Sequence, residues 1–463
     1  MFPCKASRLH ALPAGVAHMH VHGLHALSAD CPLVIARSGP RCHDPPVKKY
    51  TPSFLRHVGP GVITGAADDD PSGIATYTQA GAQFGTGLLW TVFLSLPFMI
   101  AIQLVSARIG RVTGKGVAAN LRQHLPAPLL VGLVGLLVAA NTINIAADIA
   151  AMGESLKLVI GGSAHFHSLM FGVITVLLQV FVPYRKLAHV LKWLTLTLFA
   201  YVATVLAVHV DWGRVLYDLV VPKLQFDGGY WMMIVALLGT TISPYLFFWQ
   251  ASQEVEELRL KGGERGTDDA VKHDLARVKQ DTWIGMTFSN IIAFFVMVVG
   301  ASVLYAGGVH DITSAAQAAE ALRPLAGDFA FWLFAGGIVA TGLLAVPVLA
   351  SSAAYAVAEA FGWEEGLERH WREAKQFYAI ITVATLVGTA LGFTSIDPMK
   401  ALYWSAVING VVAVPIMAAM MVLTTRADVM GRFTSGRKTR WLGWGGTALM
   451  GFAALMMGWD LVH

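Results

Sequence analysis

Residues 65–81 read GAADDDPSGIATYTQAG, and three consecutive carboxylates, Asp68, Asp69 and Asp70, stand there directly before Pro71. The chain is apolar on both sides, and one span near 54–78 results only if the acids lie inside it rather than among the headgroups. Charged side chains in the core of a bilayer are costly, so they usually face a protein interior or a watery cavity and have a function. Pro71 removes a backbone donor and the glycine two residues later weakens a helix, so this stretch predicts an interrupted membrane helix.

The composition of the whole chain also points to lipid. Of its 463 residues 55% are hydrophobic and 13% are charged, and the mean hydropathy is +0.58, whereas soluble domains carry about 25% charged residues. The apolar stretches are too long for the strands of a membrane barrel and match helices of about 20 residues. They predict an all-α polytopic protein with about eleven spans, near 54–78, 83–107, 129–158, 167–183, 187–208, 230–256, 283–306, 329–358, 377–395, 398–424 and 440–462.

The basic residues predict an orientation. With the N-terminus inside, 28 of the 33 Lys and Arg residues fall in the tail or in inner loops, and the other five are Lys157, Arg214, Lys223, Arg323 and Lys400. Short cytoplasmic loops of membrane proteins carry such an excess. The N-terminus is therefore expected in the cytoplasm and the C-terminus outside, in the plasma (inner) membrane, and the net charge of +4 needs no nucleic acid to explain it.

The first fifty residues differ from the rest. They have no clean apolar core, so residues 1–50 are expected to be a disordered tail and neither a signal peptide nor a span. HMHVHGLH at 18–25 raises a metal-collecting tail as the alternative, although no ligand geometry or scaffold is evident there. All three cysteines also lie in this tail, so no disulfide framework is expected in the transmembrane domain at 51–463.

A second interruption occurs in the sixth span, where ALLGTTISPYLFFWQ at 236–250 places Ser243 and Pro244 near its middle. Spans 1 and 6 each open a set of five, at 54–208 and 230–424, with an extra helix at 440–462. Because five is odd, the two sets have opposite topology. Interruptions at matching places in inverted repeats indicate a transporter site at the membrane midplane. The second break offers hydroxyls and freed carbonyls, from Thr240, Thr241, Ser243 and Tyr245.

Other polar groups lie within the predicted spans. Asn141, Asn144 and Asp148 fall on one stripe of span 3, where Asp148 is a second candidate cavity acid or a carboxylate that bonds a neighbouring helix. Asn409 in span 10 and Gln79 late in span 1 are expected either to complete a site or to hydrogen-bond a neighbouring helix. At the inner mouth of span 6 we expect solvated carboxylates, at Glu254, Glu256 and Glu257.

Carboxylate, hydroxyl and carbonyl oxygens are hard ligands that suit Mg²⁺, Ca²⁺ or Mn²⁺. No Cys lies in any predicted span, and no His or Met lies at either break. Mg²⁺ gives up water reluctantly and is commonly held through one or two carboxylates. The breaks therefore predict a site for a partly hydrated divalent ion, with Asp70 as the main ligand and Asp68 and Asp69 adding charge.

The two breaks resemble those of the natural resistance-associated macrophage protein (Nramp) family of divalent metal transporters, over most of residues 54–462. The family's Asp-Pro-Gly-Asn motif reads Asp-Pro-Ser-Gly at 70–73, and its Ala-x-x-Met-Pro-His motif reads Thr-Thr-Ile-Ser-Pro-Tyr at 240–245. The resemblance implies a LeuT-type inverted five-plus-five fold with unwound helices 1 and 6. It also implies that the carbonyls of Ala67 and Thr240 face the ion.

The departures from those motifs concern the metal and the proton. Gly73 replaces the family's asparagine ligand, Ser243 the methionine linked to transition metals, and Tyr245 the histidine linked to proton movement. In span 3, the family's Asp-x-x-Glu keeps Asp148 but has Ala151 for the glutamate. These changes resemble the Nramp-related magnesium transporters, which carry hydrated Mg²⁺ and Mn²⁺ without evident proton coupling.

The sequence thus predicts a monomeric alternating-access importer of Mg²⁺ and Mn²⁺ that needs no cofactor and is not an enzyme. The first alternative is a proton-coupled importer of Mn²⁺ or Fe²⁺ of the Nramp type, which has the same fold but transports a different ion. A Na⁺-coupled carrier of organic solutes is the alternative from another class. Intramembrane aspartyl enzymes place their two acids on separate helices. The acids here are consecutive, which argues against such an enzyme.

Overall fold

The computed structural model describes residues 59–182, 195–224, 228–260, 262, 266–394 and 397–462. Within these ranges eight helices are long and apolar enough to cross a membrane, and two shorter apolar helices cover Leu196–Ala207 and Lys375–Leu391. Pro60–Asp68 and Pro71–Phe84 form one more crossing, which is broken between them. The described part of the chain therefore has eleven crossings and no β-strand, which confirms the predicted all-α membrane fold.

The helices are numbered α1 to α18 in chain order. α1 to α6 are Pro60–Asp68, Pro71–Phe84, Leu89–Thr113, Val117–His124, Ala127–Ile160 and Ala164–Phe181. α7 to α12 are Phe199–Ala207, Trp212–Val220, Gly228–Thr241, Pro244–Leu260, Asp268–Val299 and Ala315–Glu320. α13 to α18 are Arg323–Ala326, Ala330–Phe361, Lys375–Leu391, Pro398–Thr425, Ala427–Met430 and Arg437–Val462. A π-helical segment, Gly300–Tyr305, continues α11.

The first two predicted spans are displaced. They were expected at 54–78 and 83–107, but the helices run from Pro60 to Phe84 and from Leu89 to Thr113, six residues later at each end. Hydropathy does not distinguish apolar turn from apolar helix. The turn itself depends on Gly85, whose φ of +58° ends α2 and is readily adopted only by glycine. The predicted tail at 1–50, with its histidines and cysteines, and residues 54–58 and 187–194 of spans 1 and 5 lie outside the described residues.

The sixth crossing lies at the centre of the bundle and the last at its edge. In Gly229–Leu260, 94% of the most apolar window is buried by other helices, against 28% in Arg437–Val462. α9 packs against α2 and α16, and α10 packs against α3 and α14. The first and sixth crossings are both interrupted at their middle, as an inverted repeat requires.

α1 lies against α11 at backbone distance, because glycines face each other there. A Cβ at Gly61 would lie 2.6 Å from the backbone nitrogen of Thr282, and a Cβ at Gly285 would collide with the carbonyl of Gly61. The Gly61 N–H donates to Asp281 Oδ2 over 2.6 Å. Small residues allow such close helix packing in lipid. The first half of the broken crossing is therefore held on α11.

Among the described residues, the loops expected in the cytoplasm gather at one end of the bundle, here called the basic end. Their arginines join different segments by ion pairs or hydrogen bonds: Arg111 to Asp274 at 2.7 Å, Arg277 to Glu254 at 2.8 Å, Arg259 to Glu365 at 3.3 Å, Arg432 to Asp268 at 2.5 Å and Arg108 to the Thr434 carbonyl at 3.1 Å. Segments that are distant in sequence thus close this end of the molecule.

The expectation of solvated carboxylates on α10 is wrong for two of the three. The Glu254 side chain is fully buried against Arg277, and Glu256 accepts the Leu367 N–H at 2.7 Å as well as the Tyr355 hydroxyl. The segment after α14 and the start of α11 cover this part of α10, which hydropathy alone does not reveal. Glu257 is partly exposed and lies 3.2 Å from Arg277.

The glycine contact gives a prediction about stability. Gly285→Ala should destabilise the protein by about 1–3 kcal/mol through overpacking, although alanine favours an α-helix over glycine by about 1 kcal/mol. Gly135→Ala on α5 is the matched control, because nothing lies within 4 Å of a Cβ there. Thermal unfolding in detergent should show a lower midpoint for Gly285→Ala and an equal or higher one for Gly135→Ala. Equal midpoints for the two variants would contradict the backbone contact.

Candidate metal site

The first break lies at Asp69 and Asp70, between α1 and α2. Asp70 is the N-cap of α2: its Oδ1 accepts the Gly73 N–H at 2.7 Å and the Ser72 hydroxyl at 2.7 Å. Pro71 occupies the first helical position, where the missing N–H costs nothing. The Asp-Pro-Ser-Gly sequence therefore stops one helix and starts the next, and it fixes the Asp70 carboxylate at the start of α2. Asp70 is 2% exposed, so it lies inside the bundle and not among headgroups.

The other oxygen of Asp70 faces α5. Asn144 donates its amide N–H to Asp70 Oδ2 at 2.9 Å, and Ser405 on α16 donates its hydroxyl to Asn144 Oδ1 at 2.6 Å. All three residues are buried. Neutral donors thus orient the carboxylate, and no Lys or Arg in the described residues pairs with it, so its negative charge stays available to a cation.

The second break lies at Ile242 and Ser243, between α9 and α10. Pro244 opens α10, and the Ser243 hydroxyl turns back to donate to the carbonyls of Gly239 at 3.0 Å and Thr240 at 2.9 Å. Thr240 and Ser243 are each 2% exposed. The second break therefore places the hydroxyls of Thr240 and Ser243 and the carbonyl of Thr240 in the interior.

The two breaks face each other. The Tyr245 hydroxyl donates to the Ala67 carbonyl at 2.9 Å, which links the start of α10 to the end of α1. A Cβ at Gly73 would lie 3.0 Å from Thr240 Oγ1 and 3.4 Å from Asp70 Oδ1. The Thr240 hydroxyl and the Asp70 carboxylate thus flank the same small volume, in which position 73 has no side chain.

Asp68 and Asp69 point toward α11. Both accept a hydrogen bond from the Ser289 hydroxyl, Asp68 Oδ2 at 2.6 Å and Asp69 Oδ1 at 3.1 Å. Their remaining oxygens are buried and accept no hydrogen bond. These two acids therefore share one neutral donor on a different side of the break from Asn144.

The further candidates fall in different places. Asp148 is completely buried and close enough to Asp70 to feel its charge; its carboxylate is near the Ser72 N–H, but neither oxygen makes a hydrogen bond of ordinary geometry. Asn409 is buried one turn after Ser405, and its Oδ1 has no hydrogen-bond partner. Gln79 bonds the segment after the π-helix: it accepts the Ile312 N–H at 2.8 Å and donates to Asp311 Oδ1 at 3.3 Å, and it makes no hydrogen bond to Asp68, Asp69 or Asp70.

Three polar residues near the acids were not predicted as site residues. Asn144 was noted only as a member of a polar stripe, and Ser289 and Ser405 were not singled out. Their signal was weak, because serine and asparagine commonly join helices within a membrane and so do not by themselves mark a site. Which acid each one contacts depends on how α5, α11 and α16 pack around the break.

The donor set is made of hard oxygen atoms. Residues 67–73 and 240–245 contain no Cys, Met or His. Within the described residues no three side chains of Asp, Glu, His or Cys are grouped to hold a metal ion. One carboxylate with hydroxyls and carbonyls around it suits an ion that keeps part of its water, as Mg²⁺ does.

Comparison with known proteins agrees with this architecture. A family model described as natural resistance-associated macrophage protein-like matches residues 61–460. The divalent metal cation transporter MntH of Klebsiella pneumoniae subsp. pneumoniae is 27% identical over 417 residues, which are 88% of this chain and 94% of that protein.

Solved structures share the fold at lower identity. The Eremococcus coleocola manganese transporter superposes with a TM-score of 0.70 at 18% identity, covering 87% of this chain and 86% of that one. MhsT, solved in complex with L-phenylalanine, superposes with a TM-score of 0.57 at 11% identity, covering 86% of this chain and 98% of that one.

The family model spans most of the chain, and the two motifs that carried the resemblance form the facing breaks of the first and sixth crossings. The LeuT-type fold expected from those motifs is confirmed by the solved structures. The chain belongs to the Nramp family.

Proposed function

We propose that this chain is a divalent metal transporter that imports Mg²⁺, and also Mn²⁺, by alternating access and without proton coupling. The observation that carries the proposal is the buried Asp70 carboxylate, which faces the second break across the side-chain-free position at Gly73. MntH of Klebsiella pneumoniae, named a divalent metal cation transporter, supports the substrate class.

The preference for Mg²⁺ rests on the replaced ligands. Ser243 supplies an oxygen where the resemblance implies a methionine, so the soft donor for transition metals is missing. Gly73 removes the asparagine, but the Thr240 hydroxyl lies 3.0 Å from the place of its Cβ. We infer that Thr240 supplies an oxygen in place of the lost amide, and that water fills the remaining coordination positions. Hard oxygen ligands favour Mg²⁺ and Mn²⁺ over softer ions.

The carbonyls of Ala67 and Thr240 are proposed as further ligands. Each already accepts a hydroxyl hydrogen, from Tyr245 and Ser243 respectively. A carbonyl oxygen has two lone pairs, so it can accept one hydrogen bond and still face an ion. Asp68 and Asp69 are proposed to add negative charge from the α11 side.

The gathering of basic loops at one end supports a cytoplasmic basic end, a cytoplasmic N-terminus and an outside C-terminus. We further propose that the chain lies in the inner membrane and acts as a monomer. A membrane potential that is negative inside favours entry of a divalent cation by roughly 4–5 kcal/mol per 100 mV. Import can therefore run downhill on the potential alone.

Access from the basic end must open and close in such a cycle. Glu359 on α14 accepts the Ser252 hydroxyl at 2.7 Å and the Ala119 N–H at 3.1 Å, and so ties α10 to α14 and α4. Together with the contacts of Glu254 and Glu256, it closes the basic end beneath the metal site. We propose that these contacts break when the site opens to the cytoplasm.

A proton-coupled Mn²⁺ importer is the second candidate, favoured by the buried Asp148 next to Asp70 and by the manganese transporter of the same fold. Proteoliposomes with an internal pH dye separate the two. Metal entry without acidification is expected, whereas acidification that tracks Mg²⁺ or Mn²⁺ entry would favour the second candidate. A Na⁺-coupled solute carrier would show no Mg²⁺ uptake at all.

Asp70→Ala should abolish Mg²⁺ binding in a calorimetric titration and Mg²⁺ uptake into proteoliposomes, because it removes the one carboxylate that faces both breaks. Glu154→Ala is the control, since that residue pairs with Lys157 at the end of α5. Both variants should elute as monodisperse protein. Undiminished Mg²⁺ binding by Asp70→Ala would show that the site lies elsewhere.

Ser243→Met should shift the preference from Mg²⁺ toward Cd²⁺ and Mn²⁺, because a thioether replaces a hard hydroxyl. Ser243→Ala is the control, because it removes the oxygen without adding sulfur. Titrations with Mg²⁺, Mn²⁺ and Cd²⁺ measure the order of affinities. If Ser243→Met keeps the wild-type order, the side chain at this position does not face the ion.

A further inference from the structure

The last helix carries a surface that the transport mechanism does not use. α18 follows the two repeats and packs on α3, α9 and α16 through one face, which includes Gly443, Gly446 and Met450. Its other face is exposed. At the basic end a cavity of about 360 Å³ opens on that face, lined by Arg437, Arg440, Trp441 and Trp444.

These four residues form one stripe. Position 437 lies three and four residues before 440 and 441, which lie four and three before 444, so all four face the same side of the helix. Trp441 is 75% exposed and Trp444 is 41% exposed. Two guanidinium groups and two indole rings therefore border the cavity, and none of the described residues that line it is acidic.

The two arginines differ from three other arginines at the basic end. Arg108 donates to the Thr434 carbonyl, Arg426 pairs with Asp428 at 2.8 Å and Arg432 pairs with Asp268 at 2.5 Å. Arg437 and Arg440 form no ion pair with any described residue. Two positive charges beside an open cavity are complementary to an anion.

The stripe continues along the helix as an apolar surface. Phe452 is 52% exposed, Leu455 is 75% exposed and Trp459 is 62% exposed, all on the side of Trp441. Trp441 and Trp459 are about 27 Å apart at 1.5 Å per residue, close to the hydrocarbon thickness of about 30 Å. Tryptophan is enriched at both membrane interfaces. The cavity therefore lies at headgroup level above a surface that fits an acyl chain.

We propose that this surface binds one anionic phospholipid of the leaflet at the basic end. Arg437 and Arg440 bind the headgroup phosphate, Trp441 and Trp444 pack on the glycerol region, and an acyl chain follows Phe452 and Leu455. The apolar continuation favours a lipid over free phosphate, because a soluble anion would use only the arginine end.

The test uses the full chain in detergent micelles and native mass spectrometry, with phosphatidylglycerol and phosphatidylcholine of identical acyl chains. In R437Q/R440Q the association constant for phosphatidylglycerol should fall roughly 20- to 30-fold, from about fivefold per charge. Phosphatidylcholine carries the same phosphate, but its choline cation offsets the charge, so its association constant should fall much less. The double variant R426Q/K438Q is the matched control, because it removes two charges from the same end but outside the cavity, and it should bind phosphatidylglycerol like the wild type.

Three results would overturn the proposal. The first is equal phosphatidylglycerol binding by R437Q/R440Q and the wild type, and the second is an equal loss in R426Q/K438Q. The third is displacement of the lipid by inorganic phosphate, which would identify a site for the free anion. W441A/W444A should weaken both lipids, and unchanged binding of both would exclude the indole contact. Mg²⁺ titration of each variant checks that the fold is intact.

Discussion

A helix that stops in the middle of a bilayer leaves backbone N–H and C=O groups with no water to bond. These groups must find hydrogen-bond partners in the protein itself. In this protein the two broken helices satisfy these groups partly within themselves and partly through each other. The Tyr245 hydroxyl of one break bonds the Ala67 carbonyl of the other, and Asp70 and Ser243 bond backbone groups of their own helices. The Tyr245–Ala67 hydrogen bond thus joins the two breaks and brings the oxygens of both close together.

The same constraint determines which charges are tolerated. Asp70 is oriented by Asn144, Ser72 and the Gly73 N–H, while Asp68 and Asp69 share Ser289. All of these donors are neutral. Replacing one of them by Lys or Arg would satisfy the acid but would also cancel the charge that attracts a cation. A site oriented by amides and hydroxyls keeps its negative potential in a medium where charge interactions are strong.

The surrounding helices position the two breaks through how closely they pack against them. The glycines of α1 and α11 bring two backbones together below the break, and the ionic contacts of the basic end cover α10. α18 takes no part in either arrangement and presents an aromatic and basic face outward. The interior thus holds the candidate metal site, whereas the last helix presents the surface proposed to bind a lipid.

The sequence alone determined the number of crossings, the two interruptions and the hard oxygen donors at the breaks, because these follow from hydropathy and from proline, glycine and aspartate at particular positions. It misplaced the first two crossings by six residues, since an apolar turn at Gly85 reads like apolar helix, and it treated Glu254 and Glu256 as solvated. Only the tertiary structure decided that Asn144 and Ser289 orient different acids and that the Thr240 hydroxyl stands next to Gly73. These contacts join residues more than 70 positions apart, and their formation depends on how whole helices rotate and approach, which no local pattern of residues encodes.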